Sequence, residues 1–168
     1  MDVSQSSSSV DHLRSLLQHL WGYSDFRPPQ GEIVQTLLAQ RDALIILPTG
    51  GGKSLCFQLP ALMQSGLTLV ISPLVALMEN QVQELRQRRL PAALLHGEMP
   101  AMQRKQVLWA LETQRLRLLY LSPETLLSPS VWQRLCAPDL KINGLILDYV
   151  TLSIFIQQQQ QQETRYLS

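Results

Sequence analysis

The segment Leu47-Pro48-Thr49-Gly50-Gly51-Gly52-Lys53-Ser54 constrains this chain more than any other. It follows an apolar run, Ala43-Leu44-Ile45-Ile46-Leu47, that reads as a buried strand, and it precedes Leu55–Met63, which reads as a helix. Strand, glycine-rich turn, Lys-Ser and helix is the order in which a phosphate-binding loop is built. Consecutive glycines let backbone N–H groups turn inward with no Cβ in the way. The N-terminus of the following helix adds unpaired donors and a dipole that favours anions. In this reading Thr49, Gly50, Gly51 and Gly52 wrap a triphosphate, Lys53 reaches the β- and γ-phosphates, and the Ser54 hydroxyl ligates Mg²⁺. The strict pattern G-x-x-x-x-G-K-[ST] is not met, because Leu47 stands at the first glycine position. That departure points to a subgroup of such loops. A ligand-free turn is the bland alternative, and it leaves the Lys-Ser pair unexplained.

A chain of 168 residues with 45% hydrophobic and 16% charged content has room for one domain with a real core. A net charge of +1 excludes a global electrostatic footprint for nucleic acid or membrane, so any DNA contact has to be local. Cys56 and Cys136 lie far apart without metal-like spacing, which suits two structural thiols in a reducing, cytoplasmic setting. No apolar run approaches the ~20 residues that span a bilayer. The start of the chain is polar and serine-rich, with no signal-peptide core, and reads as a disordered arm over residues 1–9. His96-Gly97-Glu98 is too little for a metal site and reads as a loop. Arg86, Arg88 and Arg89, like Arg104-Lys105, read as solvated helix ends.

Along the chain, Val10–Leu20 has Leu13, Leu16, Leu17 and Leu20 on one helical face. A second helix is expected over Glu32–Ala39. After the glycine turn, strands are expected at Leu67–Ile71, Ala92–Leu95, Leu116–Leu121 and Leu145–Leu147. Helices are expected over Leu74–Arg88, Met102–Leu111 and Val131–Leu135. Apolar runs of strand length separated by helices argue for an α/β fold whose parallel sheet is covered on both faces, that is, doubly wound. Ligands of such sheets bind at the carboxyl ends of the strands. The glycine turn, Ser72-Pro73, Ser122-Pro123-Glu124 and Asp148 each follow a strand and should share that rim.

Taken together, these rim segments resemble the first RecA-like domain of RecQ-type ATP-dependent DNA helicases, over about Val10 to Asp148. Trp21-Gly22-Tyr23-Ser24-Asp25-Phe26-Arg27-Pro28-Pro29-Gln30 looks like the motif with which that family holds adenine. Tyr23 suits stacking on the purine, the Gln30 amide suits pairing with N6 and N7, and Arg27 suits covering the base or a phosphate. Leu47–Ala61 is similar to the first helicase motif, including its non-glycine start. Val70–Val82 resembles motif Ia, and Tyr120–Glu124 resembles motif Ib. The resemblance therefore implies DNA contacts at Ser72, Pro73, Ser122 and Pro123. It also implies ATP as cofactor and Mg²⁺ held by Ser54 and Asp148.

The pattern then departs. Gly144–Asp148 looks like the Walker B strand, but the family continues Glu-Ala-His where this chain has Tyr149-Val150-Thr151. The missing Glu orients and deprotonates the attacking water, and general-base contributions are about 10²–10⁴-fold. Hydrolysis is therefore expected to be severely impaired. In the family a further strand, that of motif III, lies between the Walker A and Walker B strands and is encoded later. Thr151–Ile156 has strong β propensity, yet it starts too soon after Asp148 for a parallel crossover. It can extend the last strand or fold back beside it. The glutamine tract Gln157–Gln162 and the residues after it match no family element and read as a disordered tail, 149–168. The expected organisation is thus a partial RecA-like domain, 10–148, whose sheet is incomplete at its C-terminal end. A frameshift, a nonsense-type truncation or a boundary error inside one motif is the expected origin. The expected function is the ATP- and DNA-binding portion of a RecQ-like 3′–5′ helicase, contacting DNA weakly and unable to unwind it alone. The alternatives are a non-catalytic nucleotide-binding module and a small P-loop kinase; the kinase leaves the Trp21–Gln30, Ser72-Pro73 and Tyr120–Glu124 segments unexplained. Loss of the strand between Walker A and Walker B would leave two edges in the middle of the sheet.

Overall fold

The computed structural model of the chain describes residues 3–48, 50 and 52–148. Helices α1 (Val3–Trp21) and α2 (Gln30–Leu38) precede α3 (Lys53–Met63). There follow β1 (Leu67–Ile71), α4 (Val75–Gln87), β2 (Ala92–Leu95), α5 (Ala101–Glu112) and β3 (Leu118–Leu121). The short helices α6 (Pro123–Leu126) and α7 (Pro129–Leu135) lead into β4 (Ile142–Leu147). The strands form one sheet in the order β2-β3-β1-β4, with every pairing parallel.

Alternation of side chains along the strands divides the core in two. Leu67, Leu69, Ile71, Leu119 and Leu121 face α5 and α7, where Val107, Leu111, Val131 and Leu135 meet them. Val70, Leu118 and Tyr120 face α3 and α4, packing on Phe57, Ala61, Met78, Val82 and Leu85. Helices therefore cover both faces, as the doubly wound expectation requires. A smaller cluster, Leu13, Leu17, Val34, Leu55 and Leu59, ties α1 and α2 to the back of α3.

Two expectations about elements are corrected. The helix expected from Val10 begins at Val3, so the serine run is helical rather than a loose arm. Serine is only mildly worse than alanine inside a helix, by roughly 0.5 kcal/mol, and the strong pattern downstream nucleates a helix that extends back through it. The run Ala43–Leu47, expected as a buried strand, has no strand pairing, and Leu44 and Ile46 are 86% and 84% exposed. A strand exists only where a neighbour takes its backbone hydrogen bonds. β4 pairs with β1 on one side, and among the described residues no strand pairs with its other side. Among the described residues, Ala43–Leu47 therefore has no neighbour to pair with.

Central β1 sets the level of the rim. Ile71 lies opposite both Leu121 and Leu147. One residue on, the N–H of Ser72 donates to the Leu121 carbonyl at 3.1 Å, and the N–H of Asp148 donates to the Ile71 carbonyl at 2.9 Å. Behind this rim one polar contact crosses the core: the Gln58 amide donates to the Tyr120 hydroxyl at 2.9 Å, with both side chains buried. Burial raises the Tyr120 phenol, and the Gln58 bond only partly offsets it. Tyr120→Phe leaves the Gln58 N–H buried without its partner, which should cost about 1–3 kcal/mol. Urea unfolding should show a lower midpoint at unchanged slope, and adding Gln58→Met should recover part of the loss.

Candidate nucleotide site

Helix α3 starts from Gly52, whose φ of +72° lies in the left-handed region. Gly50, two residues earlier, has a φ of +81° in the same region. Such angles are open to glycine at little cost. No side chain caps α3, so its first-turn N–H groups keep their capacity to bind an anion. Lys53 and Ser54 are the first two residues of that turn, both half-buried. Thr49 and Gly51 lie outside the described residues.

Lys53 and Asp148, distant in sequence, line one cavity of about 490 Å³. Asp42–Ile45 and Gly144–Asp148 form its two walls, and Phe57 and Ala61 of α3 lie between them. This is the juxtaposition a nucleotide site needs: an ammonium and a helix N-terminus on one side, a carboxylate on the other. Among the described residues no group of three or more metal-ligating acids, His or Cys occurs. Asp148 lines this cavity and Ser54 does not; a lone carboxylate suits Mg²⁺ carried in by a nucleotide, since Mg²⁺ keeps waters and phosphate oxygens as its other ligands.

Gln30 behaves differently from the sequence expectation. It is buried, its Oε1 accepts the Arg27 N–H at 2.9 Å, and its Nε2 donates to the Gly52 carbonyl at 3.3 Å. A Cβ at Gly52 would collide with that same amide nitrogen. Gln30 thus links the Tyr23–Gln30 segment to the glycine turn through backbone contacts. An amide has a second N–H and a second lone pair, so capacity for a base remains. Tyr23 is 52% exposed, and neither it nor Arg27 lines the cavity holding Lys53 and Asp148. The segment is held from α1: Arg14 donates to Asp25 at 3.0 Å, and this bond, with the Phe26 N–H, holds the Asp25 carboxyl below its usual range.

The expected DNA-contacting residues sit on the same rim, with their hydroxyls already engaged. Ser72 is buried and its Oγ accepts the Leu74 N–H at 3.3 Å. Ser122 is buried and its hydroxyl donates to Thr125 Oγ1 at 2.8 Å. Pro73 is exposed and Pro123 half-buried. The Glu124 carboxyl is held below its usual range chiefly by its own backbone N–H. Ser122 commits its proton to Thr125 while Ser72 only accepts, and both side chains are buried, so neither presents its hydroxyl at the surface. Asp148 is half-buried at the end of β4, and Tyr149 lies outside the described residues.

A parallel sheet covered on both faces, with an uncapped helix N-terminus behind a glycine turn and an aspartate closing a neighbouring strand, defines an α/β domain of the P-loop type. The sequence profile of the DEAD/DEAH box helicases matches residues 27–163, and the chain belongs to that family. The match runs on past Asp148, the last residue that the motifs assign to the domain. The chain is 61% identical to the ATP-dependent DNA helicase RecQ of Synechocystis over 136 residues, covering 81% of this chain and 28% of that protein. It is 44% identical to RecQ of Haemophilus influenzae, covering 71% of this chain and 19% of that protein. It is 43% identical to the probable ATP-dependent DNA helicase RecS of Bacillus subtilis, covering 73% of this chain and 25% of that protein. The chain spans roughly a fifth to a quarter of the length of these relatives. The crystal structure of a hypothetical ATP-dependent RNA helicase from Sulfolobus tokodaii shares the fold, with TM-score 0.63 at 17% identity, over 89% of this chain and 43% of that one.

Cys56, read from the sequence as a structural thiol, lies in the first turns of α3. Its thiol is fully buried, contacts the Gly52 carbonyl, and is pushed by burial up to about 11. The thiolate is the reactive form, and at pH 8 only about one Cys56 in a thousand would carry it. Cys136 is exposed. A disulfide reagent at pH 8 should therefore titrate Cys136 in the folded protein and reach Cys56 only after unfolding. Prompt reaction at both would contradict the burial of the α3 start.

Proposed function

We propose that the chain is the ATP- and DNA-contacting part of a RecQ-like 3′–5′ DNA helicase. It holds ATP with Mg²⁺ between the α3 N-terminus and β4, and it does not unwind DNA alone. The observation that carries this reading is the convergence of Lys53 and Asp148 on one cavity. Gly50 and Gly52, with Thr49 and Gly51 between and beside them in sequence, wrap the phosphates. Lys53 neutralises the β- and γ-phosphates, and Ser54 and Asp148 hold the metal. Tyr23, Arg27 and Gln30 take the adenine, Gln30 using the polar capacity its backbone contacts leave over. Single-stranded or partly duplex DNA follows the rim at Ser72-Pro73 and Ser122-Pro123, weakly in this chain. No described helix is long and apolar enough to cross a membrane, and a cytoplasmic or nucleoid-associated location suits a DNA-acting protein.

A ligand that binds only the folded state stabilises it by about 2.7 kcal/mol at one hundred times its Kd. For a domain of this size that is several degrees of melting temperature, about 2–4 °C per kcal/mol. MgATP should therefore raise the melting temperature of the parent chain by several degrees and leave Lys53→Ala unmoved. Equal protection of both proteins would refute the phosphate-loop assignment.

A second reading is a nucleotide-binding module without catalysis. The residue after Asp148 favours it, being Tyr149 where the family motif has Glu. A tyrosine, with an ordinary pKa of about 10, does not serve as a base near neutrality. Phosphoryl transfer in these sites also draws on an arginine finger from outside the phosphate loop. The purified chain should separate no forked or tailed duplex at any ATP concentration. ATP-dependent strand separation in a fluorescence unwinding assay would sink both readings of its limits.

A further inference from the structure

A second cavity, of about 730 Å³, lies away from Lys53 and Asp148. It is a groove along β2, between the helices that cover the two sheet faces there. Glu79, Gln83 and Arg86 of α4 form one wall, Gln103 and Gln106 of α5 the other, and Leu94 lies on the floor. In a parallel ladder alternate residues turn both backbone groups to the same side. The Pro91 carbonyl accepts the Arg117 N–H at 2.8 Å, so Pro91, Ala93 and Leu95 serve β3, while Ala92, Leu94 and His96 turn to the groove. Two of these three carbonyls are already taken: Arg86 donates to Ala92 at 3.1 Å, and Arg104 donates to His96 at 3.3 Å. Between them Leu94 presents its N–H and C=O, and among the described residues no further strand lies on that side of β2. Backbone groups so placed call for a partner, and one extended peptide residue supplies both a donor and an acceptor.

We propose that this groove takes the C-terminal tail of a partner protein, extended and antiparallel to β2. One residue of the tail exchanges both backbone bonds with Leu94, as a hydrogen-bonded antiparallel pair does. The arginine-filled carbonyls on either side stop a longer ladder, so the site reads a chain end rather than a whole strand. Charge sets the direction. Glu79 stands at the rim end, 4.0 Å from His96 Nε2, and Arg86 stands at the other end beside Ala92. They are two turns apart on α4, about 10 Å, and three extended residues span about the same length. Arg86 uses its Nε on Ala92. A guanidinium has five N–H donors, and those left over suit a carboxylate. A tail ending one residue beyond the Leu94 pair brings its terminal carboxylate to Arg86. The residue two before the pair then lies opposite His96, where Glu79 favours Lys or Arg. A parallel tail would set its carboxylate towards Glu79 instead, and a nucleic-acid strand would set phosphates there. The residue opposite Leu94 shares its sheet face and meets Val82 of α4, which suits an apolar side chain. The recognised tail is thus a basic residue, any residue, an apolar residue and a last residue with its free carboxylate.

The probe is the tetrapeptide Lys-Ala-Val-Ala, carrying fluorescein at its amino end, with either a free carboxylate or a C-terminal amide. Fluorescence polarisation is read on the full chain without nucleotide, so the outcome does not depend on the phosphate-loop reading. The carboxylate form should bind, and the amide form should bind about ten-fold more weakly or worse, because it loses the charge-assisted bonds to Arg86. Gln106→Trp, at an exposed position in the α5 wall, should block binding while the circular dichroism stays that of the parent. Glu79→Lys should reverse the preference, so that Glu-Ala-Val-Ala binds more tightly than Lys-Ala-Val-Ala; a reversal of this kind is seen only in a folded protein. No binding to the parent, equal binding of acid and amide, or an unchanged preference in Glu79→Lys would each overturn the proposal. Displacement of the peptide from the parent by a single-stranded oligothymidine whose own binding is lost in Gln106→Trp would assign the groove to nucleic acid, and would overturn it too.

Discussion

A parallel strand is defined by the neighbours that accept its hydrogen bonds, and here that requirement decides what is rigid. β1 has neighbours on both sides and helices on both faces, and all five of its residues are buried. From it the ladder fixes where Ser72, Ser122 and Asp148 emerge, because each follows a strand end held level with Ile71. The run Ala43–Leu47 is as apolar as β1 but has no ladder among the described residues, and Leu44 and Ile46 are exposed. Apolar content makes a strand possible; a partner makes it one.

This difference also marks what could be read from sequence. β1 and β2 begin and end where the apolar runs do, at Leu67–Ile71 and Ala92–Leu95, because each is short, continuous and flanked by turn residues. β4 extends three residues further back than Leu145, since Asn143 and Gly144 break the apolar run that marks a strand. Asn143 earns its place through Thr68, whose hydroxyl lies 2.7 Å from the Asn143 side-chain oxygen. Helix α6 escaped notice: one turn opened by Pro123 has no periodicity to detect. The strand at Ala43–Leu47 failed for a non-local reason, the lack of a neighbour, which its own residues cannot disclose. The sequence argument did contain the cause, in the strand expected between Walker A and Walker B.

The candidate site was legible as chemistry more than as geometry. Lys53, Ser54 and Asp148 were identified by residue type and spacing, and two of them line a common cavity. Gln30 was identified as well, yet its backbone contacts to Arg27 and Gly52 were not foreseeable. They arise because α2 begins at Gln30 and packs along α3, bringing its first residue against the left-handed Gly52. The hydrogen bonds of the rim serines have a separate cause. Ser72 and Ser122 each end a buried strand, where a hydroxyl without a partner would be costly.

The two halves of the phosphate site therefore rest on unequal supports. Asp148 is fixed by a backbone bond to the central strand. Lys53 is placed by α3, whose Leu55, Phe57, Leu59 and Ala61 are buried in two clusters. Between them, the base of the glycine turn is a solvent-exposed run with no ladder. Binding of a flexible, highly charged ligand tolerates such a base, because the helix N-terminus and Lys53 supply most of the attraction. In-line phosphoryl transfer does not, because it depends on groups held to a fraction of an ångström. In the proposed function, holding nucleotide therefore asks less of the run before the glycine turn than turning it over would.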